Sequence, residues 1–95
     1  MPKQFAHEPD AMRYTLTIDG QLAALADYRV NGNSISFTHT YTQPNLRGHG
    51  YAAEVVEFAM NDVEATSDRR VLPMCWHVAD WFEDNPTRKG LLTRS

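Results

Sequence analysis

The sequence has one cysteine, Cys75, so no disulfide can form within the chain, which suits a reducing compartment. No apolar run approaches the ~18 residues needed to cross a bilayer. The start, from Met1 to Asp10, lacks the apolar stretch of a secretory signal. A basic excess is missing too: 9 Lys and Arg face 12 Asp and Glu, a net charge of −3. Proteins that grip nucleic acid collect positive charge on one face. Neither nucleic acid nor membrane is therefore expected as a partner, and a cytoplasmic location is expected. Repeats and low-complexity tracts are absent. What remains is an ordinary globular composition, 42% hydrophobic and 22% charged over 95 residues, enough chain for one core and too little for two.

Residues 1–12 carry Pro2, Pro9 and mixed charge, and are expected to form a flexible leader to a single domain over residues 13–95. From Arg13 to Asp19, Tyr14, Leu16 and Ile18 alternate with Thr15 and Thr17, the period of a half-buried strand. Asp19-Gly20 signals a hairpin, because a tight primed turn requires positive φ. A second strand is expected over Leu22–Val30 and a third over Ser34–Thr42, joined through Asn31-Gly32-Asn33. The period then changes. Ala52, Val55, Val56, Ala59 and Val63 form one helical stripe that fades near Ser67. A fourth strand is expected over Val71–Trp76, and a short helix over Val78–Asp84 that stops before Asn85-Pro86. A last turn is expected over Arg88–Leu92. The fold class is therefore α+β: an antiparallel meander followed by a parallel βαβ unit, with one long helix and a short C-terminal one.

The segment Arg47-Gly48-His49-Gly50-Tyr51-Ala52 lies between a strand and the start of the long helix. A helix N-terminus presents backbone N–H groups without partners and partial positive charge. Glycines let a ligand approach those amides, and Arg47 can fork onto phosphate oxygens. A flexible turn with a surface arginine is the plainer alternative. Neither the P-loop nor the dinucleotide fingerprint fits, since no Lys-Ser/Thr pair follows Gly50 and a third glycine is missing.

Arg47-x-x-Gly50-x-Ala52 resembles the Q/R-x-x-G-x-G/A motif with which GNAT acetyltransferases hold the pyrophosphate of coenzyme A. The stretch from Tyr14 to Leu92 is similar to the short, single-domain branch of that superfamily. His39-Thr40 matches its His-Thr pair, Pro73-Met74-Cys75 its Pro-x-Cys, and Trp81 with Asn85-Pro86 its later aromatic and x-Pro pair. The resemblance implies a GNAT-like mixed sheet and acetyl-CoA as co-substrate, without a metal. The amides of Gly48, His49, Gly50, Tyr51 and Ala52 would hold the pyrophosphate, beside Arg47. The main chain at Thr40 and Thr42 would pair with pantetheine. An acetyl group would then pass to an amine, large or exposed because the two helices that roof the acceptor pocket in larger relatives are replaced by Asp19-Gly20.

Two further departures bear on mechanism. Ser36 stands where many relatives carry a glutamate base, and Phe82 where many carry a tyrosine acid. Weight shifts to Cys75, a candidate nucleophile whose alternative is plain packing. His39 and His77 are the candidate bases, with His39 expected on the face of its strand opposite Thr40 and His77 on the face of Cys75. Cys75-x-His77 with His39 or His49 makes only a weak zinc pattern. Trp76, Trp81 and Phe82 are expected in core or dimer packing, and Glu54, Glu57 and Glu64 on a solvated helix face. A monomer or homodimer is expected. Two other readings stand beside the enzyme: a coenzyme A binding module without efficient catalysis, and an interaction domain.

Overall fold

The computed structural model describes residues 2–94. Lys3–Glu8 (β1), Arg13–Ile18 (β2), Gln21–Asn31 (β3) and Ser34–Thr42 (β4) pair in sequence order, each antiparallel to the next. Asp19 and Gly20 make the β2–β3 turn with φ of 53° and 80°, the two positive values of a type I′ hairpin. A long helix, Tyr51–Thr66 (α1), then crosses the sheet and delivers Arg70–Pro73 (β5) parallel to β4. Trp76–Asp84 (α2) and a 3₁₀ segment over Pro86–Leu92 complete the chain. This is the expected α+β arrangement of a meander followed by a βαβ unit.

The expected leader is corrected by β1, which pairs with β2 from Lys3↔Ile18 to Glu8↔Arg13. Met1 lies outside the described residues. Pro2 and Pro9 flank the strand rather than interrupt it, so no ladder bond is lost to them. One face of β1 is tied to α1 by three matched contacts. Lys3 Nζ lies 2.9 Å from Glu54, the rings of Phe5 and Phe58 stack at 5.2 Å, and His7 Nδ1 lies 3.5 Å from Asp62. Two strand residues advance the chain ~6.8 Å and four helical residues ~6 Å, so the two series stay in step.

The core lies between the sheet and α1. Leu16, Ala24, Ala26 and Phe37 meet Val55, Val56, Ala59, Met60 and Val63, all fully or almost fully buried. The alanines of β3 let the helix come close to the middle of the sheet. At its edge the Tyr14 hydroxyl donates to Asp62 at 2.7 Å, and the Tyr28 hydroxyl lies 2.6 Å from His7 Nε2. Burial, then the hydrogen bond and charge of Asp62, push Tyr14 well above the ordinary phenol range. Tyr28 is raised as well, by burial first and Asp62 second.

The fourth strand is shorter than expected. Pro73 has no N–H to continue the ladder, and the Met74 amide turns back to the Leu72 carbonyl at 3.0 Å. Cys75 therefore caps α2, and Trp76 and His77 begin that helix instead of extending β5. Trp81 and Phe82 are buried as expected, whereas Trp76 is 66% exposed and outside the core.

Candidate active site: a cleft where two parallel strands part

β4 and β5 are paired only from Ser34↔Arg70 to Phe37↔Pro73. Cys75 adds one bond, its N–H donating to the Phe37 carbonyl at 3.0 Å. β4 then runs on from Thr38 to Thr42 with no β5 partner. The pairing with β3 shifts register at the same place: Tyr28 faces Phe37 and Asp27 faces His39, leaving Thr38 as an extra residue. Such a bulge bends the strand and changes which side chains face inward. Phe37 and Thr40 are both buried while His39 is exposed, so His39 and Thr40 do lie on opposite faces, as their alternation suggests.

The gap is a cleft of about 620 Å³. Its strand wall is His39, Thr40, Tyr41 and Thr42. Opposite stand Arg47, Gly48 and Gly50 of the loop, with Tyr51, Ala52 and Ala53 of the first turn of α1. Trp76 and His77 close it from α2, their rings stacked at 3.8 Å. The structure thus brings together seven of the eight residues expected around coenzyme A. The eighth, His49, is exposed and does not line the cleft; its ring stacks on Tyr51 at 5.4 Å.

Gly50 is the N-cap of α1 with φ of 77°, and no side chain caps the helix there. A Cβ at Gly50 would meet nothing within 4 Å, so the glycine answers to backbone conformation rather than to space. The Gly50 carbonyl accepts the Glu54 amide at 3.1 Å, which leaves the N–H groups before Glu54 as the orphan donors of the first turn. Tyr51, Ala52 and Ala53, which carry them, line the cleft with Arg47, and a helix start of this kind receives an anion.

Cys75 sits at the closed end of the parting strands, half-buried, with its Sγ 3.5 Å from the Thr40 hydroxyl. Thr40 is part of the cleft wall and touches the thiol, whereas Cys75 itself does not line the cleft. His77 is brought into the cleft by α2 and not, as expected, by sharing a strand face with Cys75. Among the described residues no three His, Cys, Asp or Glu side chains converge as metal ligands. Among the same residues no helix is long and apolar enough to cross a membrane.

Two features of the site escape sequence reasoning. The Trp76–His77 wall follows from the early end of β5, for which Pro73 is the available signal. A groove of about 290 Å³ between α1 and α2 continues from the cleft at Ala53 and His77, lined by Glu54, Glu57, Asp80 and Asp84. Its carboxylates come from two helices whose pairing no sequence spacing reveals.

No curated protein matches the chain. The profile of a protein family does: that of the GCN5-related N-acetyl-transferases covers residues 13–91. The match contains the whole unit from β2 to α2, with the parting strands, the glycine-opened helix start and the cleft between them. On this evidence the chain belongs to the GCN5-related N-acetyltransferase family, and its general activity is that of an acetyltransferase.

Proposed function

We propose that the protein binds acetyl-CoA in the cleft and transfers the acetyl group to an amine by way of Cys75. One observation carries the binding: the main chain of His39–Thr42, without a partner on its β5 side, and the start of α1, without a side-chain cap, line a single cleft. An extended amide chain finds hydrogen-bonding groups along the strand, and a diphosphate finds amides and a guanidinium at the helix. Thr40 and Thr42 are assigned to the first task. Arg47 and the amides of Gly48, Gly50, Tyr51 and Ala52 are assigned to the second. His49 supports the loop through Tyr51.

For the transfer, the Cys75 thiolate attacks the thioester carbonyl, forming a new carbon–sulfur bond as the bond to the coenzyme A sulfur breaks. The coenzyme leaves as a thiol, carrying the proton that Cys75 gave up. The amine then attacks acetylated Cys75, its carbon–nitrogen bond forming as the carbon–sulfur bond breaks. The proton released by the amine returns to the thiolate; His39, on the strand face opposite Thr40, does not touch the thiol. The open β2–β3 hairpin, without a helical roof, favours an amine carried on a large molecule.

Native mass spectrometry with acetyl-CoA, followed by denaturation of the same sample, tests both parts. The expected result is a one-to-one complex that leaves an acetyl group on Cys75. A complex with no adduct, and turnover unchanged in Cys75→Ala, overturns the thiol route and leaves direct transfer. Absence of a complex overturns the binding.

A second reading has its own support. Phe82, at the position expected for a tyrosine acid, is 2% exposed and has no hydroxyl, and Ser36 replaces the glutamate base. These residues favour a coenzyme A binding module. A tight complex without adduct or turnover on any amine would establish it.

A further inference from the structure

We propose that Lys3, on the strand that precedes the family-matched residues, is a second cation for the phosphate end of the bound nucleotide. This rests on the acetyl-CoA reading above.

Coenzyme A carries a diphosphate and a 3′-phosphate, about four negative charges at neutral pH. Among the residues lining the cleft, Arg47 is the one side chain with a permanent positive charge. Against it stands Glu54, the one acidic residue in the first turn of α1, where a carboxylate opposes an incoming anion. Lys3 answers both conditions. Its Nζ lies 2.9 Å from Glu54 Oε1, neutralising that carboxylate. The same Nζ lies 5.2 Å from the ring centre of Tyr51, a residue that lines the cleft. The ammonium thus stands beside two residues of the first turn of α1, Tyr51 and Glu54, the turn to which the phosphate is assigned.

The ion pair is exposed, at 41% and 36% for the two side chains, and a pair of this kind holds weakly. A flexible four-carbon stem lets Lys3 exchange the Glu54 carboxylate for a phosphate oxygen without moving β1. The strand itself stays anchored by Phe5 on Phe58 and His7 beside Asp62. The match to the family begins at residue 13, so membership assigns Lys3 no role.

Calorimetric titration of the full chain at low ionic strength tests this, with coenzyme A and 3′-dephospho-coenzyme A as probes. Lys3→Gln is expected to weaken coenzyme A binding by about five- to tenfold, as loss of a charge-assisted contact does. Lys3→Arg is expected to stay within about twofold of wild type because it keeps the charge. A Lys3→Gln loss confined to coenzyme A assigns Lys3 to the 3′-phosphate, and one shared with the dephospho form assigns it to the diphosphate. Equal affinities of Lys3→Gln and wild type for both probes overturn the proposal. So does an equal loss in the Gln and Arg variants, which would mark a packing effect. If the wild type binds neither probe, the acetyl-CoA reading itself has failed, an outcome distinct from the others.

Discussion

The two sides of α1 differ in kind. Towards β1 the helix is fastened along its length by an ion pair, a ring stack and the Tyr14–Asp62–His7 cluster. Towards β5 its first turn faces a gap, bounded by a strand with unpaired main chain and by a loop of glycines. One side satisfies its polar groups internally; the other leaves them for a ligand. The difference teaches that a small domain can keep stability and binding on opposite sides of one helix. A loosely held helix start would lose the alignment of its orphan amides.

Gly50→Glu strikes the open side of the helix hardest. A side chain with a negative charge at the open helix start is expected to lower acetyl-CoA affinity more than about a hundredfold, measured by calorimetry. The left-handed backbone there costs such a residue only about 1 kcal/mol, so the melting temperature is expected to fall by a few degrees. A collapse of the fold would show that the open side also carries stability. Next in size is Tyr14→Phe, which leaves a carboxylate without its donor and is expected to cost about 1–2 kcal/mol in urea unfolding, with acetyl-CoA affinity unchanged. A change in affinity would show that the two sides communicate. Phe5→Ala, which removes a half-exposed ring from the strap, is expected to cost about 1 kcal/mol, again with unchanged affinity.

The smallest effect near neutral pH is electrostatic. The folded-state pKa values of Tyr14 and Tyr28 are raised above those of the unfolded chain. Their contribution is therefore complete below the unfolded phenol range, about pH 10, and is lost as pH rises through and above it. Melting temperatures are expected to be level across neutral pH and to decline in alkali. Tyr14→Phe is expected to reduce that decline, and an equal decline in the variant would remove Tyr14 from the account.

Much of this fold was legible from residue order. Period-two alternation from Tyr14 to Ile18, the Asp19-Gly20 turn and the stripe from Ala52 to Val63 each reflect a local rule, and each element formed where the rule applies. The loop from Arg47 to Ala52 was legible because helix starts and glycines act through the main chain. What escaped depends on distant partners. Lys3, Phe5 and His7 alternate too, but their face matters only opposite Glu54, Phe58 and Asp62 on a helix some fifty residues later. The end of β5 was missed because Val71–Trp76 has strand-like residues, while Pro73 lacks an N–H and the Met74 amide turns back to Leu72. The position of Trp76 and His77 on the cleft follows from that early turn into α2.

The extra residue at Thr38 has a wider consequence. It divides β4 into two stretches with opposite phase, as an inserted beat divides a bar of music. Before it, odd-numbered side chains, Ile35 and Phe37, face the core; after it, the even-numbered Thr40 does. A chain lacking Thr38 would alternate regularly from Phe37, with His39 and Tyr41 still outward and Thr40 and Thr42 still inward, but would lose the local bend that the extra residue gives the strand. The extra residue thus works through the course of the strand and not through which side chains it presents: the bend falls where β4 leaves β5, at the mouth of the cleft.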